Sequence, residues 1–248
     1  MNKIAIVTGA NKGIGKGIAE ELLRDGVSLM VTHYESEEEA SPALAELRAL
    51  AAKQGVGFAS CRFDLANPAD IKTLFDQTET ELGPIDIFIA NGGVHIPPKP
   101  FANITVQDFD LLCNANFKGN FFCVQECSRR MNENGRIVLI SSSTVQYPAP
   151  GLSLYSSIKA ALEMLVKTAV MELAHKKIRI NAVAPGVTAT ENAEEGLGEA
   201  FIAAVKAATP LDRVGTPKDI GNIVRLLCRE DADWINGQVL VANGVAKS

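Results

Sequence analysis

Tyr155 and Lys159 stand four residues apart in the run Tyr155-Ser156-Ser157-Ile158-Lys159, followed by the strong helix formers Ala160, Ala161, Leu162, Met164 and Leu165. That spacing places both side chains on one face of a helix. An ammonium near a phenol favours the phenolate and draws its pKa down from about 10. The pair therefore reads as an acid/base group able to protonate or deprotonate an alcohol oxygen. Ser141, Ser142 and Ser143 end the apolar run that precedes this helix. A hydroxyl there can hold a substrate oxygen beside the tyrosine, although chemistry alone does not choose among the three. No GxSxG elbow surrounds them, and neither His95 nor His175 has an evident pairing with them, which sets a serine hydrolase aside.

A second group of residues is suited to holding an anion. Thr8-Gly9-Ala10-Asn11-Lys12-Gly13-Ile14-Gly15 follows a short apolar run and opens a helix. Glycines let the backbone turn tightly and approach a pyrophosphate, and the helix N-terminus adds free N–H groups and a positive dipole end. The spacing is GxxxGxG, and its place between a strand and a helix at the start of the chain points to dinucleotide binding.

The elements that must position these groups alternate along the chain. Apolar runs at Ile4–Val7, Leu29–Thr32, Gly57–Phe63, Ile85–Ala90, Arg136–Ser141, Ile178–Ala184 and Val239–Ala242 are separated by longer helical stretches. The runs lack alternation, as strands covered on both faces should. The pattern predicts an α/β fold: a Rossmann-like, doubly wound, seven-stranded parallel sheet with helices on both faces. Ser36–Glu39 and Thr105–Asp108 look like helix starts, as do Asn67-Pro68 and Thr216-Pro217, where a capping side chain precedes a proline. The least patterned stretches, His95–Asn103, Ser143–Leu152 and Thr188–Gly198, follow strands 4, 5 and 6. They should lie together at the carboxyl edge, where open α/β sheets bind ligands.

Composition narrows the class further. The 248 residues are 47% apolar, enough for a full core in one domain. A net charge of −5 argues against a nucleic-acid partner. No apolar run is long enough for a membrane span, and the first residues lack a signal-peptide core. The five cysteines, at 61, 113, 123, 127 and 228, show no metal-ligand grouping and read as reduced thiols. No metal site and a cytoplasmic location are the expectations.

The motifs taken together resemble the short-chain dehydrogenase/reductase family, in its compact branch of about 250 residues, similar to the 3-oxoacyl-acyl-carrier-protein reductases. The resemblance runs from residue 3 to about residue 245. It rests on Thr8-Gly9…Gly13…Gly15, Asp64-Leu65, Asn91-Gly92-Gly93, Asn116-Phe117-Lys118-Gly119, Ser142, Tyr155…Lys159 and Pro185-Gly186. It implies a catalytic tetrad of Asn116, Ser142, Tyr155 and Lys159, the serine chosen by its thirteen-residue separation from Tyr155. Tyr155 would be the acid/base. Lys159 would lower its pKa and hold the nicotinamide ribose, and Asn116 would hold a water relaying protons to Lys159. Gly9, Asn11, Lys12, Gly13, Ile14 and Gly15 would line the pyrophosphate turn. Asp64 and Leu65 would meet the adenine, Asn91 and Gly92 the adenosine ribose, and Pro185, Gly186, Thr188 and Thr190 the nicotinamide carboxamide. Asn91-Gly92-Gly93 departs from the family's usual Asn-Ala-Gly, and Asn243-Gly244-Val245 from its Asp-Gly-Gly.

The residue ending strand 2 selects between cofactors, because an acid there binds the ribose hydroxyls of NAD and repels the 2′-phosphate of NADP. That position falls on His33, which can donate to a phosphate or simply cap the strand. With Lys12 in the turn, the reading leans to NADP, with NAD as the alternative; Glu35 and Glu37–Glu39 weigh against it. The substrate is expected to be a small or medium carbonyl compound or its alcohol: an acyl thioester, a sugar or a cyclic ketone. His95, Ile96, Ser143, Thr144, Gln146, Tyr147, Leu152 and the segment 191–201 should line its pocket, under a lid near 188–208. The helices around Asn116–Arg130 and Tyr155–His175 would pair across subunits to form a homotetramer. A lyase or epimerase that keeps its nicotinamide, and a silent cofactor sensor, are the competing readings. The intact Tyr/Lys pair argues against the sensor, and the lack of a larger C-terminal substrate region argues against the lyase.

Overall fold

In the computed structural model, which describes residues 2–190 and 198–245, the apolar runs become seven strands of one sheet. The order along the chain is β1 (Ile4–Val7), α1 (Gly13–Arg24), β2 (Ser28–His33), α2 (Glu37–Gln54), β3 (Phe58–Arg62), α3 (Pro68–Glu81) and β4 (Ile87–Ala90). The second half runs α4 (Val106–Leu112), α5 (Asn120–Arg130), β5 (Arg136–Ile140), α6 (Ser153–Leu173), β6 (Arg179–Pro185), α7 (Glu199–Ala208), α8 (Pro217–Leu227) and β7 (Val239–Ala242). All pairings are parallel, in the order β3-β2-β1-β4-β5-β6-β7. The expected doubly wound sheet is the observed one. Chain order reverses between β1 and β4, which sit in register Val7 opposite Ile89.

Side-chain alternation across the strands divides the core into two layers. Ala5, Val7, Leu29, Val31, Ile87 and Ile89 face α1, α2 and α8, where Ile18, Leu22, Leu44 and Val224 meet them. Ile6, Met30, Phe88, Ile137 and Leu139 face α3, α5 and α6, meeting Phe75, Val124, Leu162 and Val166. Every strand of the sheet's middle is buried because each face carries a layer of helices.

The helix starts form as the sequence predicts. Ser36, Thr105 and Thr216 each make a reciprocal capping box with Glu39, Asp108 and Asp219, and Asn67 accepts from the Ala69 N–H. One stretch differs from expectation. The helix expected around Asn116–Arg130 begins earlier, as α4, and passes through a wider π-helical stretch, Cys113–Gly119, before becoming α5. Hydrophobic periodicity does not report one extra residue in a helical turn. The widened turn seats Asn116 against Val94: its Oδ1 accepts from the Val94 N–H at 2.7 Å and its Nδ2 donates to the Val94 carbonyl at 2.8 Å.

Phe88, fully buried on the central strand β4, stacks on Phe75 with ring centroids 5.9 Å apart. Phe88→Ala should lower the unfolding free energy by about 3–5 kcal/mol, read from urea melts. A loss under about 1 kcal/mol would show that the layer against α3 collapses around the gap.

Candidate active site

The carboxyl ends of β1, β4, β5 and β6 bring the chemical residues to one edge of the sheet. Gly9 and Gly13 take left-handed backbone, with φ of 62° and 51°. A side chain at Gly15 would put its Cβ 2.1 Å from the Gly9 carbonyl oxygen, so the turn closes only with glycine there. Asn91, at the end of β4, pins that turn: its Nδ2 donates to the Thr8 carbonyl at 3.0 Å and to the Gly9 carbonyl at 2.9 Å. Thr8 Oγ1 accepts the Asn91 and Gly92 N–H groups in return, at 3.0 and 2.8 Å. Unlike α2, α4 and α8, α1 has no capping side chain at its N-terminus. Ile14 packs into the core beneath the turn. Thr190, from the β6 end, lies against Gly13, its Cγ2 3.3 Å from where a Cβ would be.

The structure separates the three serines. Ser141 is buried and its hydroxyl donates to Glu163 Oε1 at 2.7 Å. Ser142 stands beside the Tyr155 phenol, close enough for its hydroxyl to draw the phenol's pKa down. It also accepts from the Thr144 hydroxyl at 3.0 Å and caps the short turn 143–145. On α6, Tyr155, Lys159 and Glu163 recur every four residues and form one stripe against the end of β5. Lys159 is buried, and its ammonium donates to the Ile140 carbonyl at 2.7 Å while lying 5.7 Å from the centre of the Tyr155 ring. The His95 ring lies 5.2 Å from the Tyr155 ring, at the solvent side of the cluster.

The electrostatics correct one expectation. Burial pushes the Tyr155 phenol up from its ordinary value, and the Ser142 hydroxyl returns only part of that. Lys159 lies over the ring and donates to the Ile140 carbonyl, and the phenol beside it stays raised rather than lowered as the four-residue spacing predicted. The lysine's own pKa falls instead, from 10.5 to about 8, because burial penalises the charged form. Partial desolvation beside Tyr155 and the nearby Lys159 charge also lower the His95 imidazole.

The remaining expected residues fall as follows. Asp64 forms an Asx turn, accepting from the Ala66 N–H at 2.9 Å, and Leu65 is buried beside it. Pro185 ends β6; Thr188 is buried and bonded to the Gly186 carbonyl at 3.0 Å. His33 stands apart from the cleft. Its side chain is fully buried, Nδ1 donates to the Glu35 carbonyl at 3.0 Å, and Nε2 lies 3.2 Å from Glu37. The imidazole caps the strand and presents nothing to a phosphate. Lys12 and Asn11 both reach Glu35. Of the expected lid, residues 191–197 lie outside the described residues.

Sequence reasoning missed Glu163. Buried on α6, it accepts from Ser141 and, at 3.1 Å, from Gln146 Nε2, and so ties the loop before α6 to the helix. The only signal was its place four residues after Lys159. A second tie joins the loops after β4 and β5, where the Lys99 N–H donates to the Gly151 carbonyl at 3.0 Å.

A buried cation leaves a signature in stability. Native Lys159 releases its proton near pH 8, whereas the unfolded chain holds it to about 10.4. Between those values the unfolded state binds more protons, so the native protein gains stability as pH rises. Lys159→Met removes that gain. Its unfolding free energy relative to wild type should therefore fall by roughly 2 kcal/mol between pH 7 and pH 10 in denaturant titrations. A pH-independent difference would mean that the ammonium is well solvated.

Known proteins are similar to this chain in sequence and in fold. The family model described as enoyl-(acyl carrier protein) reductase matches residues 9–244. A hydroxynaphthalene reductase-like protein, Arp2, of Metarhizium anisopliae is 34% identical, over 98% of this chain and 94% of its own. The tetrahydroxynaphthalene reductase PfmaG of Pestalotiopsis fici is 36% identical, over 98% and 90%. The crystal structure of a short-chain dehydrogenase from Burkholderia cenocepacia, in complex with NADP, superposes with a TM-score of 0.90 at 29% identity, covering 99% of this chain and 98% of that one. On the match over residues 9–244 and these relatives, the chain belongs to the short-chain dehydrogenase/reductase family.

Proposed function

We propose that the protein is an NAD(P)-dependent oxidoreductase that reduces a carbonyl, or oxidises the matching alcohol, with Tyr155 as the acid/base at the substrate oxygen. The observation that carries this reading is the meeting of Ser142, Tyr155 and Lys159 at the sheet edge that also bears the glycine turn. The nicotinamide, when bound, supplies or accepts the hydride. The turn fits a pyrophosphate, being too close at Gly15 for any side chain and leading into a helix without a capping side chain. Gly9, Asn11, Lys12, Gly13, Ile14 and Gly15 would hold it. Asp64, Leu65, Asn91 and Gly92 would meet the adenosine; Pro185, Gly186, Thr188 and Thr190 would meet the carboxamide.

In reduction, the Tyr155 phenol gives its proton to the carbonyl oxygen while the Ser142 hydroxyl holds that oxygen in place. A phenol kept protonated by burial suits this direction. Lys159, anchored on Ile140, would fix the ribose. Asn116, locked on Val94, would hold a water on the proton path to Lys159.

NADP is the preferred cofactor. No acid ends β2, and a solved relative of the same fold carries NADP. The hydroxynaphthalene and tetrahydroxynaphthalene reductases among the relatives favour a cyclic ketone as substrate. No described helix is long and apolar enough to cross a membrane, and the free thiols suit the cytoplasm. Exposed Phe121 and Phe122 on α5, with Met164 and Met171 on α6, fit burial between subunits of a homotetramer.

Tyr155→Phe tests the chemistry. Turnover of cyclic ketones with NADPH should fall by about 10²–10⁴, while NADPH affinity by fluorescence titration stays within about twofold. A Phe variant at full activity would remove the tyrosine from the reaction.

A further inference from the structure

One buried carboxylate grips the serine turn at both ends. Glu163, on α6, accepts from the Ser141 hydroxyl at 2.7 Å and from Gln146 Nε2 at 3.1 Å. Ser141 and Gln146 bracket Ser142, and the turn between them is bonded to itself. Thr144 gives its hydroxyl and its N–H to Ser142 Oγ, at 3.0 and 3.3 Å. The Val145 N–H donates to the Ser142 carbonyl at 3.2 Å, and the Gln146 and Tyr147 N–H groups both donate to the Ser143 carbonyl. The Ser141 N–H is bonded to the Val183 carbonyl of β6 at 2.7 Å. The turn is thus a closed unit, pinned to the sheet by its first residue and to α6 by Glu163.

A carboxylate is an unfavourable choice for a buried position unless donors meet it. The donors that meet Glu163 are a hydroxyl and an amide, both from the serine turn. An aliphatic side chain would fill the same space but would not orient the turn. Glu163 stands eight residues after Tyr155 on an unbroken helix, two turns or about 12 Å along its axis. The helix is a rigid ruler, so seating the turn on Glu163 fixes where Ser142 stands relative to the Tyr155 phenol.

We propose that Glu163 is a positioning residue for the reaction: by holding Ser141 and Gln146 it presents Ser142 to the substrate oxygen beside Tyr155. The inference rests on the oxidoreductase reading above and concerns the placement of Ser142 rather than the proton transfer itself. Ser141 and Ser142 are neighbours of identical chemistry, and the carboxylate takes the first so that the second is left for the substrate. Without it the Ser141 hydroxyl loses its acceptor in a buried place and Gln146 loses its tie to α6. Small displacements of a group that holds a reacting atom cost rate rather than cofactor affinity.

Glu163→Met keeps the volume and removes both acceptors. With NADPH and the bicyclic ketone tetralone, kcat should fall about 10–100-fold, while NADPH affinity by fluorescence titration stays within about twofold. Glu163→Gln, whose carbonyl oxygen still accepts from Ser141, should recover most of the rate. In a Ser142→Ala background, where the hydroxyl to be positioned is gone, Glu163→Met should change kcat by less than about twofold. Ser141→Ala, a smaller change at the other end of the bond, carries the same comparison if Glu163→Met does not fold. If the loss is equally large with and without Ser142, or if turnover stays as in wild type, Glu163 does not act through Ser142 and the inference falls alone. If wild-type protein neither binds NADPH nor reduces the ketone, or if Ser142→Ala is as fast as wild type, the reading above falls and takes this one with it.

Discussion

The pairing of Thr8 with Asn91 holds the site together. These residues directly follow β1 and β4, the two strands between which the chain reverses its direction of travel across the sheet. Each satisfies the other's backbone: the asparagine amide takes two carbonyls of the turn, and the threonine hydroxyl takes two N–H groups of the β4 end while donating to the Ile89 carbonyl. A strained glycine turn at a strand terminus has many unmet backbone groups, and leaving them unmet would cost more than the turn's own geometry. Asn91 therefore keeps the turn open and aimed. The π-helical stretch extends the same logic, since Asn116 locks Val94, three residues beyond Asn91, by another reciprocal pair.

Lys159 shows what it costs to place chemistry inside such a frame. A buried ammonium is unfavourable unless a strong acceptor meets it, and the Ile140 carbonyl at the end of β5 is that acceptor. The bond works because β5 stops there and the chain turns at the serine run, freeing the carbonyl from the ladder. Glu163 repeats the device one turn further along α6, accepting from Ser141. Opposite charges thus alternate along one helix stripe, each tied to the same strand end, and Tyr155 takes its position from both anchors. The phenol receives a fixed place and a Ser142 partner, but little electrostatic help from the lysine.

Much of the fold was legible because it rests on local rules. Unbroken apolar runs marked strands buried on both faces. Reciprocal Ser/Thr and Asp/Glu spacings marked helix starts, and glycine spacing marked the turn. What escaped depends on contacts between distant residues. The π-helical stretch exists because Asn116 meets Val94 and Gly119 presses against Leu65, where a Cβ would lie 2.1 Å from the Leu65 carbonyl oxygen. Nothing in the run Cys113–Gly119 announces either contact. Ser141 and Ser142 are alike in sequence; only the folded chain, turning after β5, gives one to Glu163 and the other to Tyr155 on the same stripe of α6. His33 stood at the expected position along the chain, yet its side chain is buried. The lysine's influence on the phenol was inferred from spacing alone, and spacing does not reveal which carbonyl the ammonium will choose.

The two anion-seeking features of the glycine turn are handled in opposite ways, and the contrast explains the composition around it. At the inner end, the first turn of α1 has no acidic residue and no capping side chain, whereas α2, α4 and α8 each carry both. A carboxylate there would repel a pyrophosphate from the positive end of the helix dipole. At the outer end, where Lys12 and Asn11 reach toward β2, the chain supplies its own carboxylate. An unpartnered ammonium in that half-exposed position would attract any anion. Pairing it with Glu35 lowers that general appetite while leaving the inner turn open.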